Sequence, residues 1–391
     1  SWYGGDWVER YNSRQGLGVR MELITSIAHW IVENGPPFLI LLTVLVFVHE
    51  MGHYLIAKKF GVKVETFSIG FGRELFGWTD KSGTRWKFCL IPMGGYVKMF
   101  GDADPASTPS KNIKKLKLQD REYSLHHKPL GQRSAILLGG PLANFIFAIF
   151  LMSAMFMSIG QPYSSPVITD IVAGGAAEVS GMQAGDRFLS VDGRKIGRFE
   201  DLQMIVQSSP NKKLNIAISR DGQERLISVS PKLVSRTDNF GNEVKIGVLG
   251  IKGGKKEFVE RGFSEAVFYS CLETYRLIDL TLAYVGEMLL GSRSGEELAG
   301  PLGIAKISGD SFKQGFISFL WVTIIISINL GLINLFPIPL LDGGHLLFYA
   351  IEAVRGKALS LKTQEIGFKI GLILLFSLMF YATWNDLSKV F

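Results

Sequence analysis

The sequence predicts a polytopic α-helical membrane protein with four transmembrane helices, a membrane-associated β-hairpin and one inserted α+β domain. Three observations predict it. The 391 residues are 47% hydrophobic yet 20% charged, which suits apolar spans carrying a soluble insert and argues against disorder. Apolar stretches long enough to cross about 30 Å of hydrocarbon recur along the chain, two of them without any charge. Within the first such apolar stretch lie two histidines and a glutamate, groups that are costly inside a span and that mark function there.

Residues 1–37 read as an N-terminal extension and non-cytoplasmic lead-in. The first 20 residues differ in character from the rest of the chain, and Met21 fits a natural start. Pro36 and Pro37 suit a helix start, so the first span is expected over 38–57. Residues 58–133 form a loop in which two alternating segments, VETFSIGFG and TRWKFCLIPMGGYVKMFGD, flank the turn-rich GWTDKSG. This predicts a β-hairpin over about 64–100, and pattern alone favours an ordinary cytoplasmic sheet. Its glycines at Ile69-Gly70-Phe71-Gly72 and at Gly94-Gly95-Tyr96 permit close backbone approach. Residues 103–128 are rich in Ser, Pro and Lys and read as a flexible stretch. The second span is expected over 134–159.

Residues 164–250 show short strands, the turns Asp192-Gly193 and Asp221-Gly222, and a helix near 200–208, which together make one compact domain. Residues 251–315 come next, and 264–290 carry Glu265, Glu273, Arg276, Asp279 and Glu287, which predicts an amphipathic helix that does not span. The third span is expected over 316–343 and the fourth over 364–386.

Charge sets orientation. The loop after the first span is crowded with Lys and Arg, and Arg355, Lys357 and Lys362 lie between the third and fourth spans; both loops should be cytoplasmic. The net charge of +7 is thereby explained, and no motif or aromatic-interleaved basic groove points to nucleic acid. Cys89 and Cys271 are far apart, so neither a disulfide framework nor a thiolate metal site is implied.

His49-Glu50-Met51-Gly52-His53 is an HExxH sequence. The i, i+4 spacing puts both imidazoles on one helix face, where they can hold zinc. Glu50 can act as general base towards water there. Chance gives about 0.007 such matches for this composition. Two core histidines beside a buried carboxylate are the alternative, and an unpaired carboxylate in a span makes that costly. A third ligand must come from elsewhere. Asp342 closes the third span, with His345 its competitor, and His29, His126 and His127 are less well placed. Equal depth in the bilayer requires an odd number of crossings between His53 and Asp342, so 264–290 should not cross. Pro337 and Pro339 break the helix beside Asp342, and unwound backbone at that depth suits a water-filled cavity. Asn329 and Asn334 can serve substrate or helix packing, and Asn144 in GGPLANF favours packing.

HExxH, GGPLANF and NLFPIPLLDGG, in that order on successive spans, resemble the site-2 proteases, M50-type intramembrane zinc metalloproteases, and most closely their bacterial RseP-like branch. The similarity covers residues 21–391. It implies one Zn²⁺ held by His49, His53 and Asp342, with Glu50 as catalytic base. It implies substrate contacts at Asn329 and Asn334. It also implies a membrane-reentrant hairpin in which Ile69, Gly70, Phe71, Gly72, Gly94, Gly95 and Tyr96 receive an unwound substrate as an added strand. AAEVSGMQAGDRFLSVDGRKI resembles bacterial PDZ domains, so the insert is expected as a single PDZ domain on the periplasmic side of a bacterial inner membrane. Well-known relatives carry two. Steric exclusion of bulky ectodomains is the favoured role for it over binding of C-termini. The expected partners are the lipid bilayer, single-spanning membrane proteins such as anti-sigma factors or remnant signal peptides, and an upstream protease that trims the same substrate first. The alternative is a catalytically silent PDZ-containing membrane binding module. An ion transporter ranks below both, because the spans show no inverted repeat.

Overall fold

The computed structural model describes the backbone of residues 5–103, 117–237, 243–254, 256–291 and 298–390. The chain divides into two compact units, Ser1–Met152 with Ser270–Phe391, and Ser153–Tyr269. Residues 104–116, the centre of the expected flexible stretch, lie outside the described residues.

In the first unit, α1 runs without interruption over Gly5–Lys59, with Pro36 and Pro37 inside it. The expected helix start at 38 is therefore wrong. Two prolines remove the donors that Val32 and Glu33 carbonyls would use, but packing overrides that cost. Asn34 is buried, donates its amide to the Trp30 carbonyl at 2.8 Å, and lies so close to Gly309 that a Cβ there would strike it.

β1 (Val64–Thr79) and β2 (Arg85–Met99) come after it, joined by a turn at 80–84. They make more than a simple hairpin. Thr66–Ile69 lie between two partners, with Lys98, Val97, Tyr96 and Gly95 on one side and Arg85, Trp86, Lys87 and Phe88 on the other. Glu74–Thr79 then pair back along Cys89–Arg85. Two strands thus give a sheet of four segments, bent where Gly70, Gly72 and Gly94 take φ of +85°, +86° and +106°. A Cβ on Gly94 would strike the Phe71 ring. The base of the sheet is buried: Phe67, Val97 and Met99 pack with Ala57 of α1 and with Leu125 and Ile136. The far end exposes Leu75, Phe76, Trp78, Phe88, Leu90 and Ile91. Asp80 ties the turn, accepting from the Ser82 and Thr84 backbone amides at 2.8 and 3.0 Å and from the Trp86 indole at 3.0 Å. Partial burial opposes its ionisation, but these donors win and hold its carboxyl well below the usual carboxylate range. A short α2 (Leu118–Arg121) leads to α3 (Leu130–Ser158), which starts four residues ahead of the expected second span.

The second unit contains β3 (Gln161–Ser164), β4 (Ile168–Ile171), α4 (Ala176–Val179), β5 (Arg187–Val191), β6 (Arg194–Lys195) and α5 (Phe199–Gln207). It continues with β7 (Leu214–Arg220), β8 (Gln223–Val229), β9 (Lys232–Thr237), β10 (Glu243–Val248), β11 (Ile251–Gly253) and β12 (Lys256–Val259). Its main sheet has the order β6-β5-β7-β8. Phe188, Val191, Leu202, Leu214, Ile216 and Ile218 form the core with Ile168 and Leu249. The unit is wider than the expected 164–250, because β12 pairs with β3 and β11 with β4. Those pairings join segments far apart in sequence, which no local pattern announces. Asp186 is buried, and Arg220 donates to both its oxygens at 2.7 Å. Burial pushes the Asp186 carboxyl up, and the guanidinium pulls it down by more, so it sits below its ordinary value.

The chain then returns to the first unit. α6 (Phe263–Leu289) is followed by α7 (Pro301–Gln314), α8 (Phe316–Asn334), α9 (Asp342–Arg355) and α10 (Leu361–Val390). Among the described residues four helical stretches are long and apolar enough to cross a membrane, namely Thr25–Lys59, Leu130–Ser158, Phe316–Asn334 and Lys362–Leu387. α6 is not one of them. The third span ends at Asn334 and not at 343, because Pro337 and Pro339 supply no backbone donor and the helix cannot continue. α7, unforeseen in a stretch read as amphipathic, buries small residues such as Gly303, Ala305, Ser308 and Gly309. Its start is held by the buried Asp386 of α10, which accepts from the Gly300 and Gly303 amides at 3.1 and 2.8 Å.

Candidate metal centre

α1 carries His49 and His53 one turn apart, their rings edge to face with centroids 4.8 Å apart. α3 crosses α1 closely enough that a Cβ on Gly52 would strike the Gly139 carbonyl, and a Cβ on Gly140 would strike both imidazoles. The GG pair of α3 thus makes the room in which the rings sit.

Asp342 arrives from the other side of the sequence. After α8 the chain makes a tight descent over residues 335–341, with Leu340 at φ +86°, and restarts as α9 with Asp342 as its first residue. Gly343 and Gly344 have no room for a side chain, because a Cβ on either would strike the backbone of that descent. The fold brings the three residues together. His49 Nε2 lies 3.1 Å and His53 Nε2 3.5 Å from Asp342 Oδ2, and the two Nε2 atoms are 3.2 Å apart. All three side chains are nearly withdrawn from solvent.

These separations fit a metal. Bonds of about 2.0–2.1 Å at tetrahedral angles place ligand atoms roughly 3.3 Å from one another. Protonation points the same way. His53 Nδ1 faces the Ile136 carbonyl at 2.9 Å, and a carbonyl only accepts, so Nδ1 carries the proton and Nε2 offers a lone pair. Asp342 Oδ2 is buried and faces the two Nε2 atoms. Among the described residues His49, His53 and Asp342 form the group whose ligand atoms can share one ion. Two nitrogens and one carboxylate oxygen leave further coordination positions open, as a hydrolytic metal site requires.

His345, the competing ligand, is buried between Phe348 and Phe368 and lines the same cavity without joining that group. His29 pairs with Glu33, and His126 with Asp102, both away from the centre. Glu50 lines the cavity, which measures about 200 Å³, together with Gly95, Tyr96 and Asn334. The volume has room for roughly half a dozen water molecules or more. Asn334 donates to the Leu330 carbonyl of its own helix at 3.0 Å. Asn329 is not brought to the cavity; its Oδ1 accepts from Thr281 of α6 at 3.1 Å, a helix-packing role. Ile69, Gly70, Phe71, Gly72 and Gly94 shape the sheet beside the cavity without lining it, and Phe71 reaches Tyr96 by ring stacking at 6.0 Å. The sequence favoured packing for Asn144. In the fold this residue is fully buried with its carboxamide against His49, a relation that only three-dimensional proximity reveals.

Residues 37–378 match the family model for peptidase family M50. The chain belongs to peptidase family M50. This M50 peptidase is thereby a metalloprotease. It is 40% identical over 375 residues to a protein of Agrobacterium fabrum named "Putative zinc metalloprotease", covering 95% of this chain and all of that one. It is 42% identical to a Brucella suis protein of the same description, over 90% of this chain and 94% of the other. Metalloprotease MmpA of Caulobacter vibrioides is 36% identical over 377 residues, 90% of this chain and 94% of that protein. Among solved structures, the PDZ domain of an SdrC-like protein from Listeria monocytogenes aligns with 23% of this chain and 88% of its own at 16% identity, with a TM-score of 0.18.

Proposed function

We propose that this metalloprotease is an intramembrane zinc endopeptidase, a site-2 protease that hydrolyses peptide bonds within or near the transmembrane segments of single-spanning membrane proteins. The observation that carries the reading is the meeting of His49 and His53, on a span-bearing helix, with Asp342 at the start of α9, and Glu50 on the same small polar cavity. Zinc held by His49, His53 and Asp342 would supply Lewis acidity at this site. Glu50 takes a proton from the attacking water and returns it to the departing amide nitrogen. Asn334 lines the cavity, which supports a role for it in orienting the substrate carbonyl. A helical substrate hides its peptide bonds, so it must be bound extended. Among the described residues Gly95–Met99 pairs with a strand, β1, along one side; Met99 is tied to Asp102, its amide donating at 2.9 Å, and the Val97 amide bonds Glu50, so a substrate added as a strand would exchange with that Val97 bond. The exposed apolar end of the sheet suits contact with lipid.

The basic loops put residues 60–129 in the cytoplasm and the insert outside it, in the bacterial inner membrane. The insert acts as a PDZ-type domain that excludes bulky ectodomains, so that substrates such as anti-sigma factors or remnant signal peptides enter after an upstream protease has trimmed them. The test is reconstitution of the full chain in liposomes with a single-span substrate. Wild type should cut, while chelator and Glu50→Gln should each abolish cutting, and zinc should restore the chelated wild type. Undiminished cutting by Glu50→Gln would overturn the assignment. Substrate binding with no cleavage by either protein would favour the silent binding module.

A further inference from the structure

The two histidines meet different neighbours on the side away from Asp342. His53 Nδ1 is fixed as a donor by the Ile136 carbonyl. His49 Nδ1 faces the carboxamide of Asn144, whose Nδ2 is the near atom at 3.4 Å, while its Oδ1 is buried without a hydrogen-bond partner among the described residues. That carboxamide can point either corner at the ring, because oxygen and nitrogen exchange by a half-turn of the amide. The two choices have opposite consequences. If the NH₂ faces Nδ1, the ring must accept there, and its proton moves to Nε2, between His53 Nε2 and Asp342. If Oδ1 faces Nδ1, the proton stays on Nδ1 and the Nε2 lone pair is free for a metal.

We infer that Asn144 is a positioning residue for His49, its Oδ1 accepting the Nδ1 proton and so fixing the tautomer that can bind zinc. The inference rests on the reading of His49, His53 and Asp342 as metal ligands. Two observations support it. Asn144 is fully buried, so water cannot satisfy Nδ1 in its place. Its backbone is held from α8, where Ser327 donates to the Asn144 carbonyl at 2.9 Å, so the amide cannot withdraw easily. The arrangement also completes a pattern, in which each imidazole gives its Nδ1 proton to a group on α3, one a backbone carbonyl and the other a side-chain oxygen.

The test compares wild type, Asn144→Leu and Asn144→Asp as full-length proteins in nanodiscs, with zinc affinity read by competition against a fluorescent chelator. Leucine is similar in size and offers no acceptor, whereas aspartate keeps one. Zinc binding should weaken by about 10–100-fold in Asn144→Leu and return to within about threefold of wild type in Asn144→Asp. The chelated forms should melt together. Leucine binding zinc like wild type, or aspartate as weak as leucine, would overturn the inference while leaving the metal site standing. Wild type that binds no zinc would remove both. Should the leucine variant misfold, cobalt-loaded wild type decides the matter by proton NMR. Two exchangeable, strongly shifted ring N–H signals are expected, one from each histidine, and a single signal would refute the assignment.

Discussion

Gly140→Ala tests whether the spacing of α1 and α3 sets the metal centre. A Cβ at this position would lie 2.8 Å from His49 Cε1 and closer still to the His53 ring. Carbon atoms rest at about 3.5–4.0 Å, so the His49 ring must retreat by roughly 0.7–1.2 Å. Metal–ligand distances are held to about ±0.2 Å. The displacement therefore exceeds the tolerance several-fold and should detach one of the ligands. We expect zinc affinity to fall by at least about 100-fold, near 2.7 kcal/mol, with cleavage lost in parallel. Overall stability should fall by about 1–3 kcal/mol, as expected for one methyl group too many in a packed interior. Gly131→Ala on the same helix is the control, since nothing lies within 4 Å of a Cβ there. The assay is chelator competition with both variants at equal helical content. Gly140→Ala that keeps zinc within threefold of wild type would refute the argument that these rings have no room to move.

Other perturbations separate the remaining parts of the structure. Asp386→Ala should release the start of α7, costing about 1–2 kcal/mol, seen as faster hydrogen exchange at residues 300–304 with the rest of the chain unchanged; equal exchange would show that the cap contributes nothing. Asp186→Asn should destabilise the second unit by about 3 kcal/mol, since Arg220 loses a charged partner whose side chain is fully buried. The sign of its pH dependence comes from a lowered carboxyl: the contribution is complete above the usual carboxylate range and disappears as pH falls below it. Acid titration of the melting of that unit should therefore flatten in the variant, and an unchanged acid limb would contradict the pairing. Asp80→Ala should loosen the turn at 80–84, and the same sign rule makes wild type lose this contact only in acid; Trp86 fluorescence reports it directly.

The parts of the site carried by local pattern were legible in the sequence. HExxH puts two imidazoles on one helix face, with a glutamate beside them, by helical spacing alone, and the acid after Pro337 and Pro339 stands out because little else ionisable lies near the third span. The parity of crossings that brings Asp342 to the depth of His53 also comes from loop charge and span count. What stayed hidden depends on tertiary packing. α7 reads as a poor helix because glycine and serine lower its propensity, yet these small residues let it lie against α1, and Asp386 from a distant helix supplies its cap. The prolines at 36 and 37 read as a boundary, and neighbouring contacts carried the helix through them. Asn329 and Asn334 look equivalent on one span, but they face in different directions, one towards α6 and one into the cavity. The doubled pairing of Thr66–Ile69 is invisible to alternation, which reports faces and not neighbours.

The two halves of the centre lie at opposite ends of the chain. His49, Glu50 and His53 precede the entire second unit, and Asp342 comes only after α8 has been laid down. During synthesis the early half has no third ligand to close on, so a ribosome stalled anywhere before α9 leaves an inert product. The centre can therefore close only once α9 has followed the second unit in synthesis.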